Sequence, residues 1–273
     1  MHNPDVACEM DITKVVTASK QKSTAEPLVS IQVLDACRIL VINGKGGAGK
    51  TTVSTNLAAW CAHMGARTVL VDADPQGASF YWAGHRESNL PPIYSVKIEP
   101  NSRTTLSFQW RVPKTTRWLI TDAAPGLTGP ALDDLVRDHD LIIVPVLPSD
   151  IDIRASARFI GELLLTPNMR RKRRPIAVIA NRARQQTQAW NRLQKFLLSL
   201  NIPYPATLRD SQNYVRAYGE GRGIVDYRTP GYKRDRKDWE ILIKWLKEQN
   251  ARYSWFTEEV DDSSSASSTN KVS

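Results

Sequence analysis

From residue 38 onward, short apolar runs alternate with stretches whose apolar residues recur at helical spacing. Arg38-Ile39-Leu40-Val41-Ile42, Thr68 to Val71, Trp118-Leu119-Ile120, Leu141 to Val146 (LIIVPV) and Ile176 to Ala180 have the length and composition of strands buried on both faces. Weaker strand signals lie near Tyr94 to Ile98 and at Ala206 to Arg209, and the rest of Asn89 to Lys114 reads as loop. Between the runs, Thr51 to Met64 places Val53, Leu57, Trp60, Cys61 and Met64 on a helical period, with Gly65 as its stop. Ile153 to Leu165 and Gln188 to Leu200 also read as helices. Arg234 to Gln249 is amphipathic: Trp239, Leu242, Ile243 and Leu246 share one face, and Lys237, Lys244 and Lys247 lie elsewhere. This alternation predicts an α/β fold, a doubly wound, mostly parallel sheet with helices on both faces in three layers.

The ends break the pattern. Residues 1–31 are polar and weakly periodic and are expected to be a disordered extension; 32–256 form one large domain; 257–273 are an acidic, serine-rich tail expected to be disordered. With 273 residues there is room for one substantial core, and two full domains would be cramped. The formal charge of +9 points to a polyanionic partner, nucleic acid or an anionic membrane surface, without choosing between them. Cys8, Cys37 and Cys61 stand far apart with no CxxC pair, which disfavours structural zinc, an iron–sulfur cluster or a disulfide framework and suits a reducing cytoplasm. No apolar run approaches the ~20 residues of a membrane span.

The strongest chemical signal is Val41 to Thr52, VINGKGGAGKTT. Gly44, Gly49, Lys50 and Thr51 fit the phosphate-loop spacing G-x-x-x-x-G-K-[ST] between a strand and a helix. Glycines let successive backbone N–H groups curl around an anion, and the helix that follows aims its positive end at it. Gly44, Lys45, Gly46, Gly47, Ala48, Gly49, Lys50, Thr51 and Thr52 are therefore candidate nucleotide contacts. Lys50 is placed to hold the β- and γ-phosphates of ATP, and Thr51 to ligate Mg²⁺.

Lys45 adds a second lysine at the front of the loop, K-G-G-x-G-K-T-T. With this string the chain resembles the deviant phosphate-loop ATPases of the ParA/MinD family, closest to the small ParA, ParF-like partition proteins without an N-terminal DNA-binding domain. The resemblance implies a ParA-like ATPase domain over 32–256 and an ATP-dependent homodimer, with Lys45 reaching the nucleotide of the other subunit. Asp72-Ala73-Asp74-Pro75-Gln76-Gly77 is similar to the family's second signature, in which Asp74 positions the attacking water and Asp72 supports the magnesium shell. Strand-end aspartates otherwise serve as turn formers. Trp82, by the same likeness, lines the nucleotide or dimer face, with a place in the core as the equal alternative. Asp122, before Ala123-Ala124-Pro125-Gly126, resembles the Walker B aspartate that holds Mg²⁺ through water, and Asn181 the asparagine at the adenine edge, a cap or turn being its other reading.

Two groups of cations are candidate DNA contacts: the run Arg170, Arg171, Lys172, Arg173 and Arg174, and Arg209, Arg216 and Arg222 in the closing stretch. Each is otherwise an ordinary solvated charge. The resemblance implies a cytoplasmic, nucleoid-associated bacterial ATPase that binds DNA without sequence preference. A ParB-like adaptor would stimulate hydrolysis and so move a plasmid, a chromosome region or a protein assembly such as a carboxysome. The alternative is a MinD-like, membrane-associated spatial regulator using the terminal amphipathic helix. The D-P-Q-G signature and the basic runs argue against that alternative, and the cysteine pattern argues against a cluster-transfer ATPase.

Overall fold

The structure is a computed structural model and describes residues 26–98 and 111–250. The disorder expected of residues 1–25 and of the tail 257–273 lies outside those residues.

Seven strands form one parallel sheet in the order β4-β3-β6-β2-β7-β8-β9. They are β2 (Cys37–Val41), β3 (Thr68–Ala73), β4 (Ile93–Lys97), β6 (Trp118–Ala123), β7 (Leu141–Val146), β8 (Ile176–Ala183) and β9 (Ala206–Arg209). A separate antiparallel pair joins β1 (Leu28–Ser30) to β5 (Arg111–Pro113). The helices are α1 (Lys50–His63), α2 (Ala78–Gly84), α3 (Gly129–Asp138), α4 (Asp150–Leu165), α5 (Pro167–Arg171), α6 (Gln188–Ser199), α7 (Gln212–Gly219) and α8 (Lys233–Asn250).

Side-chain alternation along the strands divides the core in two. Cys37, Ile39 and Val41 of β2 face the layer of α1, α2, α7 and α8, whereas Leu40 of the same strand packs with α3, α4, α5 and α6. Strands β6 and β7 are buried at every position, as central strands covered on both faces must be. The expected three-layer, doubly wound fold is therefore present. Since all seven strands run the same way, the loops after β2, β3, β6 and β8 gather at one edge of the sheet, the edge where such folds place their sites.

Some boundaries differ from expectation. Residues 28–31 belong to the folded body: Leu28 pairs with Pro113, and Ile31 is fully buried. Three apolar residues in a polar context are too few to register as a strand. Helix α4 starts at Asp150, ahead of the expected Ile153, because the Ser149 side chain accepts the Asp152 amide as an N-cap. Helices α2 and α3 went unanticipated; seven and ten residues give periodicity little to work on. Trp82 settles in the core, fully buried, its indole N–H donated to the Arg222 carbonyl at 3.2 Å.

Helix α8 spends its apolar face, Trp239, Leu242, Ile243 and Leu246, in the core beside β9. A membrane-binding helix needs that face free. No helix among the described residues is long and apolar enough to cross a membrane.

His139, at the end of α3, is buried between two elements. Its Nδ1 lies 2.6 Å from the Leu135 carbonyl, which can only accept, so Nδ1 carries the proton and Nε2 accepts the Thr121 hydroxyl at 2.7 Å. Burial holds its pKa down at about 4, below the ordinary 6.5. The unfolded chain therefore takes up the proton first. The stabilisation is complete above pH ~6.5 and is lost as pH falls from there toward 4. By this linkage alone, folding is expected to weaken by roughly 2 kcal/mol at pH 5 relative to pH 7.5. Urea titrations at the two pH values should show that loss, and His139→Gln should flatten the difference.

Candidate functional site

The loop after β2 is held from four sides. The Asn43 side-chain amide donates to the Pro145 carbonyl at 2.8 Å and to Ser156 Oγ at 3.0 Å, while its Oδ1 accepts the Lys45 amide at 3.0 Å. Gly44 lies on Phe159 of α4; a Cβ there would stand 2.9 Å from the ring. The Gly126 amide, in the turn after β6, donates to the Gly44 carbonyl at 2.9 Å. The Asn181 amide, at the end of β8, donates to the Ala48 carbonyl at 3.0 Å. Gly49 has φ +89°, and a Cβ on it would fall 2.0 Å from Asn181 Nδ2. Only glycine satisfies both the left-handed backbone and that approach. The loop leads directly into the N-terminus of α1, and open space above Gly46 and Gly47 leaves room for a phosphate chain.

Carboxylates from two neighbouring strands close the floor. Asp122 of β6 is buried and accepts the Thr51 hydroxyl at 2.8 Å and the Ser54 hydroxyl at 3.2 Å. Burial pushes its pKa up to about 7, against the pull of those hydroxyls and of Lys50. A divalent cation beside Asp122 and Thr51 would supply the positive charge this carboxylate lacks, so the donor set fits Mg²⁺. Lys50 is itself buried, which lowers its pKa, and its ammonium donates to the Lys45 carbonyl at 3.3 Å, curled within its own loop. Asp72 shapes the next loop: one carboxylate oxygen accepts the Asp74 amide at 3.0 Å and the other the Phe80 amide at 2.8 Å. Asp74 stands at the edge with Oδ1 on the Gln76 amide at 3.0 Å. Lys45 pairs with Asp152 of α4, whose carboxylate also takes the Ser149 hydroxyl.

Beside the loop lies a cavity of about 470 Å³. Thr51, Thr52 and Asn181 line it; Arg182, Tyr214 and Tyr218 also line it and went unread in the sequence. Tyr214 and Tyr218 are one turn apart on α7, and that i, i+4 aromatic pair was the available signal. Tyr218 donates its hydroxyl to the Ala78 carbonyl at 2.9 Å, tying the cavity wall to α2, the helix after Asp74. Arg182 holds φ +49°, its amide donated to Asn181 Oδ1 at 3.0 Å. A non-glycine residue in that region is strained, and such strain collects at binding sites.

Comparison with known proteins agrees with this geometry. Residues 39–224 match the family described as CbiA, the CobQ/CobB/MinD/ParA nucleotide binding domain. The chain belongs to this family. Its relatives include the maintenance of carboxysome distribution protein A of Halothiobacillus neapolitanus, 31% identical over 201 residues, 72% of this chain and 90% of the relative. Among solved structures, apo McdA of Cyanthece superposes with a TM-score of 0.61 at 14% identity, covering 76% of this chain and 99% of that one. The septum site-determining protein MinD of Pyrococcus horikoshii OT3, solved with Mg-ADP, superposes with a TM-score of 0.54 at 16% identity, covering 81% and 98%. These two structural likenesses speak to the fold alone.

Within this family fold, the candidate DNA contacts separate to opposite edges. Arg170, Arg171, Lys172 and Arg173 are exposed and precede β8, at the edge away from the phosphate loop. Arg174 is a correction to expectation: it is buried, and its guanidinium donates to the carbonyls of His139, Asn168, Lys172 and Arg137 at 2.6–3.0 Å. Arg209 and Arg222 are likewise engaged, the first forked on buried Asp235 and the second on Glu87. Arg216 is exposed on α7, next to the cavity wall.

Gly49→Ala should weaken ATP binding by about a hundredfold or more, because the new methyl must displace Asn181 and hold a strained backbone. Titration with a fluorescent ATP analogue measures this; near-native affinity would mean that the loop does not hold the phosphates.

Proposed function

We propose that the protein is a ParA-type ATPase that forms an ATP-dependent sandwich dimer, binds DNA without sequence preference, and positions a cargo through adaptor-stimulated hydrolysis. The observation that carries this reading is the second lysine, Lys45, at the front of the phosphate loop, whose ammonium pairs with Asp152 of α4 and not with the carboxylates of the loop floor. A lysine needed by its own cradle would point in; one that serves a facing subunit must be able to swing out. The carboxysome distribution relative makes a protein assembly the favoured cargo.

On this reading each residue of the site has a role. The amides of the loop and the Lys50 ammonium hold the phosphates of ATP, and the wall formed by Asn181, Tyr214 and Tyr218 receives the rest of the nucleotide. Thr51 and Asp122 are the residues that would hold Mg²⁺, which when bound would supply positive charge to the phosphate oxygens. Asp74 holds a water in line with the γ-phosphorus. The water oxygen bonds to phosphorus as the bond to the ADP oxygen breaks, releasing inorganic phosphate. Lys45 of each protomer leaves Asp152 and neutralises charge on the nucleotide opposite. The exchange of partner makes dimerisation depend on ATP.

Basal turnover is expected to be slow, since a switch must outlast its own signal. Lys50→Ala should abolish ATP binding. Asp74→Ala should leave binding intact and trap an ATP-loaded dimer, seen by size-exclusion chromatography; hydrolysis at the original rate would show that another group holds the water. Asp152→Asn should loosen the Lys45 latch and raise the dimer fraction at subsaturating ATP; an unchanged fraction would mean that the ion pair does not oppose dimerisation. Binding to random-sequence duplex DNA, followed with ATP and with ADP across a salt series, tests the whole. ATP should tighten it and salt should weaken it steeply; no ATP-dependent increment at low salt would overturn the DNA reading.

A further inference from the structure

The four exposed cations Arg170, Arg171, Lys172 and Arg173 stand on a built platform. Short helix α5 is clamped to α3, with the Asn168 amide and side chain donating to the Asp133 carboxylate at 2.7 and 2.6 Å, and with Met169 buried beneath. On the far side, Arg174 binds four carbonyls and fixes where the chain turns into β8. The run is thus pinned at both ends and carries four charges in four residues. No salt bridge among the described residues involves any of them, and Arg171 alone is engaged, donating to Asn168 Oδ1 at 3.0 Å.

Position decides what this platform can do. From Arg174 to Asn181, which touches the phosphate loop, the chain runs up β8, a rise of roughly 23 Å. That exceeds a Debye length of about 8 Å at physiological salt, so the charge on the nucleotide is screened from the run. No carboxylate or lysine of the cradle reaches it either. The platform's affinity is therefore independent of the nucleotide state.

We propose that Arg170 to Arg173 form a second, constitutive DNA-phosphate site, separate from the ATP-gated surface. It tethers the ADP-bound or empty monomer weakly to the duplex. The choice of DNA as partner rests on the reading above. An acidic protein would add an apolar anchor; the nearest exposed apolar side chains in the chain, Leu164 and Leu165, end α4 ahead of α5 and lie outside the run RRKR, which is wholly cationic. A phosphate backbone needs only the charges, and each neutralised phosphate releases counterions. Four contacts imply a log–log salt slope of roughly −3 to −4. The consequence is functional: protein released by hydrolysis stays near the nucleoid instead of mixing freely, which shortens the time to rebinding.

Fluorescence anisotropy of a random-sequence duplex with the full chain, in ADP and in ATP, tests this. The wild type should bind in ADP at low salt with that slope. Replacing all four by alanine should weaken ADP-state binding at least tenfold while the increment added by ATP persists. Replacing the three arginines by lysine should restore ADP-state binding and guards against a folding defect. Absence of ADP-state binding at low salt, or equal binding by the alanine variant, overturns the proposal. So does run-dependent binding of polyglutamate without duplex binding, which would assign the platform to an acidic protein. A wild type that binds in ADP through the run yet gains nothing from ATP defeats the gated-dimer reading and leaves this site standing.

Discussion

A glycine-rich loop that must offer amides to an anion has too few groups of its own to hold its shape, and the rest of this structure is arranged to supply them. Two of the loop's carbonyls are taken up from outside, Ala48 by Asn181 and Gly44 by the Gly126 amide, and the Lys45 carbonyl is taken by Lys50 from within. Its mouth is set by Asn43 and its back by Phe159. These groups come from the ends of β2, β6 and β8 and from α4, so the parallel sheet is the device that brings them to one place. A change in any of those strands reaches the loop through a single hydrogen bond.

Charge follows the same logic. Asp122 and Lys50 are buried before any ligand arrives, and burial disfavours the charged form of each. The site is therefore short of one cation near Asp122 and of anionic oxygens near Lys50, and Mg²⁺ with ATP is complementary to both deficits. Lys45 is the exception, since its charge is already matched by Asp152. The groups that bind in place are poised, whereas the one read as acting across an interface is latched.

The same sheet separates two kinds of basic surface. Arg209, Arg222 and Arg184 are paired with Asp235, Glu87 and Asp210, whereas Arg182, which lines the cavity, and Arg216 beside it are exposed. At the opposite edge the exposed run keeps its charges free of the described carboxylates.

Much of this was legible in the chain. The strand-loop-helix order around Gly44 to Thr51, the aspartates at the ends of β3 and β6, and the three-layer fold follow from local spacing and burial pattern, because a phosphate loop and a central parallel strand are both encoded over a few adjacent residues. What needed tertiary structure was every pairing between residues distant in the sequence. Asp152 as the partner of Lys45, Arg174 turned inward, Tyr214 and Tyr218 as a cavity wall, and the strand at Leu28 are set by elements that meet only after folding. A side chain's neighbours across the sheet are decided by strand order, and strand order leaves no periodic mark on the sequence itself.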